Sequence, residues 1–557
     1  MFSLVFKLQI WYNKRMRNVE KSMDLSSLTK TELEAKVLQL SMEVESLSMK
    51  LSWYEEQYKL SRAQRFGPSS EQIPFDQLSF FNEAESEASA FTVPEPTFEE
   101  VKVPSKKKSK GRKQDITSGL PTITVEYRLS EEDLPCPQCG ETLHEMKKEI
   151  HRELSVIPAQ INVTEKVRYI YACRNCERNG TSTPIIPAPM PNPVIKNSLA
   201  SPSMIAHIMQ RKYVDAVPLY RQEAQFKKYG IKLSRQTLAN WMIKSSNDWL
   251  RPMYNLMHQE ILKKQVLHAD ETVLEVLREP GREAVMNSYM WVYVAGSAEI
   301  PIALYNYTQG RSGDFAKEFL KGFSGYLQTD GYAGYHKLQS KGHDSGIILS
   351  GCWAHARRKY DEALKGISDK MGVAALVTKQ GLEYCNTLFR LEKYFKDLPP
   401  DERHLRRQEE ALPVLEAYFA WTKRYQHEVL PKSLLGSAIG YSLNQEVYLR
   451  SYLLDGRLEI SNNRAERAIK PFVIGRKNWL FSNTPRGADA SAIIYSIIET
   501  AKLNDINPFP YLEYLFEKLP NINITSKEEI MKLMPWSKDL PESCRNLSNQ
   551  ETSTCTS

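Results

Sequence analysis

The sequence predicts a multidomain α+β protein, and three observations carry that prediction. Apolar residues from Leu33 to Tyr58 recur at alternating steps of four and three. Two Cys-x-x-Cys pairs bracket a short stretch of alternating β-type residues. Beyond residue 264, strand-like runs alternate with helical ones, and two of the runs carry an acid near their end. At 557 residues the chain is too long for one compact core. A hydrophobic fraction of 41% with 10% aromatics builds real cores and excludes wholesale disorder. Mean hydropathy is −0.47, and no apolar run approaches the ~18–20 residues of a membrane span. Lys and Arg outnumber Asp and Glu by 74 to 67, for a charge of +7 and a pI near 8.7. That surplus permits a polyanionic partner without demanding one. Eight cysteines in a chain this long do not make a disulfide scaffold.

At the N-terminus, Lys7 interrupts a short apolar stretch, the charges follow it, and no small-residue cleavage site appears. No signal peptide is therefore expected, a reducing cytoplasm is the expected compartment, and Met16 and Met23 are alternative starts. Leu33, Val37, Leu40, Val44, Leu47, Leu51, Tyr54 and Tyr58 then follow the a/d spacing of a coiled coil for nearly four heptads. Thr29 with Glu32 reads as a capping box. Residues 25–62 are read as a dimerisation zipper, with a helix packed on its own domain as the alternative. Residues 63–115 form a charged linker. Eight acids and no base occupy 71–100, and Lys102, Lys106, Lys107, Lys108, Lys110, Arg112 and Lys113 follow without an acid. The basic run is either a solvated spacer or a flexible arm that neutralises phosphates.

Cys136, Cys139, Cys173 and Cys176 make two knuckles separated by 33 residues. Four thiolates of this kind form a closed, tetrahedral, structural zinc site, read as a zinc-ribbon-like domain over 116–180. Ile161, Val163, Val167, Tyr169 and Tyr171 share one parity, which predicts strands feeding the second knuckle. Cys352, Cys385, Cys544 and Cys555 are isolated and read as ordinary residues. Six prolines in residues 181–202 mark a boundary. The helical segment over 195–250 includes a helix from Leu219 to Lys228, a Tyr229-Gly230 turn and a second helix capped by Ser234. Lys227, Lys228, Lys232 and Arg235 surround that turn, where a helix-turn-helix meets phosphates. Plain helical bundles share this pattern.

In the core (260–365), Gln265 to Val273 reads as a strand with Asp270 near its end. Ser288–Ala295 and Pro301–Tyr305 are two further strands, and Asp314–Phe323 a helix. Gly325 to Tyr332 is a short strand ending in Asp330 and a glycine turn, and Ile347 to His355 a fifth strand. This order is that of a ribonuclease-H-like α/β core, in which the ends of the first and fourth strands lie side by side and Asp270 and Asp330 converge. A helical insertion (366–450) precedes the second part of the core (451–500). There Ser461 is expected to cap a helix with Glu466 about one and a half turns in and Arg467 and Lys470 nearby. A C-terminal helical segment (501–540) and a disordered tail (541–557) end the chain. Clustered carboxylates cannot all stay ionised without a cation, so these three should hold hard divalent metals. Two such ions can activate a water or a 3′-hydroxyl against a phosphodiester.

These blocks resemble the transposases of the insertion-sequence sixty-six family, a bacterial Asp-Asp-Glu group. The resemblance runs from about residue 30 to 536, through the zipper with Arg65-Phe-Gly-Pro-Ser-Ser-Glu71, both knuckles and Lys212–Glu223. It continues through His268–Thr272, Thr329–Tyr332, Gly351–Lys359 and Asn462–Arg467. It implies that Asp270, Asp330 and Glu466 bind two magnesium ions, with manganese as a substitute. It also implies that the protein nicks element ends and transfers their 3′-hydroxyls to target DNA. Double-stranded DNA (terminal repeats and target) is then the partner, with a homodimer or higher oligomer through the zipper and small accessory proteins, at the bacterial nucleoid. His355 and Arg358 match a family block for which packing and phosphate contact are both open. Glu271 is the neighbouring acid to Asp270, and Glu459 is the rival to Glu466. The rival function is a non-catalytic, dimeric DNA-binding protein using the same zinc and helical modules.

Overall fold

The computed structural model describes residues 29–66, 161–172 and 185–546, apart from 284–285, 298, 340–345 and 368–371. The N-terminal extension, the linker from residue 67, the four knuckle cysteines and the tail beyond residue 546 lie outside the described residues. The protein is mixed α+β. It forms two compact units: unit 1 is Met1–Thr92 with Gly325–Asn463, and unit 2 is Val93–Ser324 with Arg464–Ser557.

Helix α1 spans Lys30–Phe66, one uninterrupted helix of 37 residues that ends just before Gly67. Strand β1 (Ile170–Ala172) pairs antiparallel with β2 (Ile185–Pro187). Alternation over 161–171 thus yields a strand only at its end. Residues 161–169 expose both parities to solvent, so no buried face holds the pattern in register. Helices α2 (Pro202–Tyr213), α3 (Leu219–Lys228) and α4 (Arg235–Ser245) follow. The Ser234 hydroxyl accepts from Thr237 N and caps α4, while Gly230 turns the chain at φ 79°. One π-turn carries α4 into α5 (Arg251–Ile261).

Strands β3 (Val266–Glu275), β4 (Asn287–Ala295) and β5 (Ala303–Thr308) form an antiparallel meander in unit 2, followed by α6 (Gly313–Phe319). Asp270 lies mid-strand opposite Val292, not near the strand end, because apolar Val273, Leu274 and Val276 continue the run. In unit 1, β6 (Gly325–Gln328) pairs parallel with β7 (Ile347–Ser350). The fifth strand does not reach His355. Trp353, Ala356, Tyr360 and Ala363 recur at helical spacing and are all buried, so Trp353–Gly366 is helix α7.

The insertion is helical: α8 (Val373–Phe395), α9 (Pro400–Arg406), α10 (Leu412–Tyr425), α11 (Leu434–Asn444) and α12 (Glu446–Arg450). Its core is aromatic, and Tyr418 donates to Ser442 Oγ at 2.6 Å while its oxygen lies 3.1 Å from that of Tyr360. The C-terminal end of α1 docks in this unit. Leu60 is buried, and the Glu56 carboxylate accepts from Leu434 N at the start of α11.

Helices α13 (Asn463–Trp479), α14 (Pro485–Leu503), α15 (Pro508–Lys518) and α16 (Lys527–Met531) complete the chain. Helix α14 is buried all round from Ala490 to Ala501. Its hydroxyls satisfy the edge of β5: Ser496 Oγ accepts from Tyr305 N, and Thr500 Oγ1 both accepts from Ala303 N and donates to Ala303 O. The expected disorder of the tail does not begin at residue 541. Cys544 is buried, and its carbonyl accepts from Asn507 N at 2.8 Å, which seats residues 541–546 against the start of α15. Among the described residues no helix is long and apolar enough to cross a membrane.

Candidate active site

Unit 2 carries two of the three acids. Asp270 is half-buried on β3, and strand alternation sends Glu271 to the opposite face. Glu271 is committed there. Arg311 reaches its carboxylate with Nη2 at 2.7 Å and Nε at 2.8 Å, and the Glu271 side chain is only 1% exposed. Glu466 is the fourth residue of α13, in its first turn, and half-buried. The helix starts at Asn463, with buried Asn462 immediately before it, so Ser461 is not at the cap position. Glu466 consequently sits about one turn in. The Tyr305 hydroxyl donates to Ala468 O, which ties this helix to the sheet bearing Asp270. Arg467 is exposed and Lys470, three residues on, half-buried.

Unit 1 carries Asp330, two residues past β6. Its Oδ1 accepts from Tyr332 N at 2.9 Å, an Asx turn that fixes the carboxylate over the following residues. Gly331 between them has φ 92°. The Tyr441 hydroxyl, from α11 in the insertion, donates to Asp330 O at 3.1 Å. Burial first, then the Cys352 thiol and Asp330, push the Tyr441 phenol well up, so it stays a donor. Buried Gln445 packs against Gly331 from the same side.

The segment leading to Glu466 is seated in unit 1 as well. Gln328 donates to Glu459 O, Trp353 N donates to Ile460 O at 3.0 Å, and Asn462 N donates to Cys352 Sγ at 3.1 Å. Glu459, the rival acid, is therefore in the bend before the helix, its backbone held by the end of β6. His355 and Arg358 lie three apart on α7, which sets them on one face; His355 is half-buried and Arg358 exposed. Arg235 is the first residue of α4 and, with Lys227, Lys228 and Lys232, is exposed around the Gly230 turn. Tyr441 and Gln445 escaped sequence reasoning, since more than 100 residues separate them from Asp330. Cys352, Cys385 and Cys544 are buried, and burial pushes the Cys385 thiol up to about 12.

Comparison with known proteins adds four family matches. The model described as "Transposase IS66 family" matches residues 197–490, and "IS66 C-terminal element" matches 496–536. "Zinc-finger binding domain of transposase IS66" matches 133–177, a span that holds all four knuckle cysteines and supports a structural zinc. "Transposase C of IS166 homeodomain" matches 53–125. Among relatives from Sinorhizobium fredii, the uncharacterized protein y4qI is 32% identical over 393 residues, covering 69% of this chain and 70% of that protein. The uncharacterized protein y4jD is 29% identical over 419 residues, covering 73% of this chain and 79% of its own length.

Proposed function

This chain belongs to the IS66 transposase family, and from that membership we propose a DNA transposase that nicks the ends of its element and transfers the freed 3′-hydroxyl strands to target DNA. One observation carries the reading: the family match spans Asp270, Asp330 and Glu466, the three acids that strand order and motif spacing single out. A ribonuclease-H-like core is part of the proposal. It is supported by the antiparallel meander β3–β5, a helix, and then the parallel pair β6–β7 leading into α7. In such a core the first and fourth strands are neighbours, which would pair Asp270 with Asp330, and we assign Glu466 to the same centre from the family motif alone.

The donor set fits magnesium or manganese. It offers carboxylate oxygens, and Glu271, the alternative acid of the first motif, is already paired with Arg311. When bound, such ions supply activation of the attacking hydroxyl and stabilisation of the leaving oxygen. The chain's own residues orient the parts. The Asx turn and the Tyr441 hydroxyl fix Asp330, while Tyr305 fixes the helix of Glu466. Arg467, Lys470, His355, Arg358 and Arg235 are assigned to phosphates, with the arm Lys106–Lys113 adding charge. Cys136, Cys139, Cys173 and Cys176 are assigned to the structural zinc. Pairing of two copies along α1 is supported by its open seam, whose residues from Val37 to Tyr58 are 43–69% exposed.

The test is strand transfer on element-end DNA with magnesium. Asp270→Ala, Asp330→Ala and Glu466→Ala should each abolish it; unchanged activity in any of them overturns the triad. Binding without cleavage, and with no need for a divalent ion, would favour the dimeric DNA-binding protein instead.

A further inference from the structure

The turn that ends the Glu466 helix presents apolar side chains to water. Leu480 follows α13 with φ 64°, a left-handed conformation that disfavours a branched apolar residue and suits glycine or asparagine. Leu480 is 62% exposed and Phe481 beside it 43%, so neither serves the core. The turn is nonetheless firmly held. Leu480 N donates to Arg476 O at 2.6 Å and Phe481 N to Trp479 O at 2.9 Å. Ser482 N donates to Glu275 O at 2.9 Å, and Leu277 N returns a bond to Ser482 O at 3.0 Å, which pins the turn to the end of β3.

Cations frame it. Arg476 and Lys477 occupy the last turn of α13, Arg486 the first turn of α14, and Arg278 bonds through its N to Asn483 O at 3.1 Å. Burial holds the Arg476 guanidinium below its usual range, and Glu275 opposes that shift. A rigid apolar tip within a cationic frame matches a partner that is anionic outside and apolar within, as duplex DNA is. We propose that Leu480 and Phe481 form a wedge that enters a base step of bound DNA while the surrounding cations hold the flanking phosphates. The proposal rests on the reading of DNA as substrate. Trp479 lies thirteen residue steps along the helix from Glu466, about 20 Å at ~1.5 Å per residue. The wedge therefore acts within roughly six base pairs of the chemistry, at ~3.4 Å per step, and not at the cleaved phosphate.

The test uses the full chain and duplexes of the element's terminal repeat, with 2-aminopurine at successive positions over the ten base pairs beside the cleavage point. The unaltered chain should raise fluorescence several-fold at one step. Leu480→Asn and Phe481→Ser should remove that rise and leave affinity for random-sequence duplex within about twofold. Leu480→Asn suits the left-handed turn and should melt no lower than the unaltered chain, so a lost signal cannot be ascribed to misfolding. Binding without a rise at any position, or a rise that survives both substitutions, overturns the wedge alone. A loss of self-association in place of the lost rise marks the turn as a protein contact and overturns it too. No binding to the repeat by the unaltered chain removes the DNA reading and the wedge with it.

Discussion

Gly331 is a position where one added methyl group would disturb the proposed centre. Its φ of 92° suits glycine, and a Cβ there would lie 3.1 Å from Gln445 Oε1 and 3.2 Å from the Tyr441 hydroxyl oxygen. Neither neighbour can yield cheaply, because Gln445 is buried and the Tyr441 hydroxyl is bonded to Asp330 O. Gly331→Ala should cost about 1–2 kcal/mol in backbone strain and displace the groups that orient Asp330. Misplacement of a catalytic group by about 1 Å costs on the order of 100-fold in rate. The shift these contacts demand is smaller than that, so strand transfer should fall measurably but by less than that factor, and Tyr441→Phe, which loses one hydrogen bond worth about 1 kcal/mol without displacing the turn, should lose less than Gly331→Ala. Equal activity of Gly331→Ala and the unaltered chain, measured as initial rates of strand transfer, would show that the insertion does not buttress this acid. The glycine after Asp330 was visible in the sequence as a turn signal. Its partners were not, since only the fold of α11 returns residues 441–445 to that turn.

At the level of elements, buried Arg407 holds the insertion together. Its guanidinium grips Glu392 of α8 with two bonds of 2.7 Å and donates to the carbonyls of Tyr452, Asp455 and Leu458 at 2.8 Å. The side chain is fully buried, and Glu392 is only 11% exposed. Removing one partner of such a pair strands the other charge, typically at about 3–5 kcal/mol. Arg407→Leu should lower the urea midpoint accordingly, Arg407→Lys should not rescue it because it cannot fork, and Arg407→Leu with Glu392→Leu should lose less than Arg407→Leu alone. A double variant as weak as the single one would mean that the three carbonyls, and not the ion pair, dominate. This clasp was illegible in the sequence, where Arg407 is one of a run of charges in Asp401–Glu410. Local signals fared better. The Ser234 cap, the Gly230 turn and the 3.6-residue spacing placed α3 and α4, because those signals act within one helical turn. The strand read through His355 failed for the converse reason. The apolar run continues past Ser350, and what ends it is Gly351, whose N donates to Tyr448 O and whose Cα packs on the backbone of residues 448–449, a contact only the tertiary fold supplies.

For the whole molecule, the modest charge of +7 conceals a segregated distribution. Residues 71–113 hold eight acids and then seven bases, a net of −1, so the remainder of the chain carries +8. A body that is itself basic can bind DNA without the arm, and the question is how many phosphates the arm adds. Each phosphate neutralised by Lys or Arg releases counterions, and the logarithm of affinity falls with the logarithm of salt by about 0.9 per contact. If Lys106, Lys107, Lys108 and Lys110 all lie on phosphates, replacing them with Gln should reduce the slope by about 3–4. Binding to random-sequence duplex, titrated between about 50 and 200 mM salt, reads this directly, because the non-specific mode is almost wholly electrostatic. The weakening should be greatest at low salt and shrink as salt rises, since screening removes what the substitutions removed. A parallel downward shift with unchanged slope would place the loss in folding or zinc binding instead, and an unchanged curve would make residues 102–113 a spacer between the zipper and the zinc-finger domain. The acids of residues 71–100 sharpen the test. If they occupy the arm in the free protein, neutralising them should raise affinity with no change in the number of phosphates contacted, so the two halves of the linker separate into a slope effect and an offset.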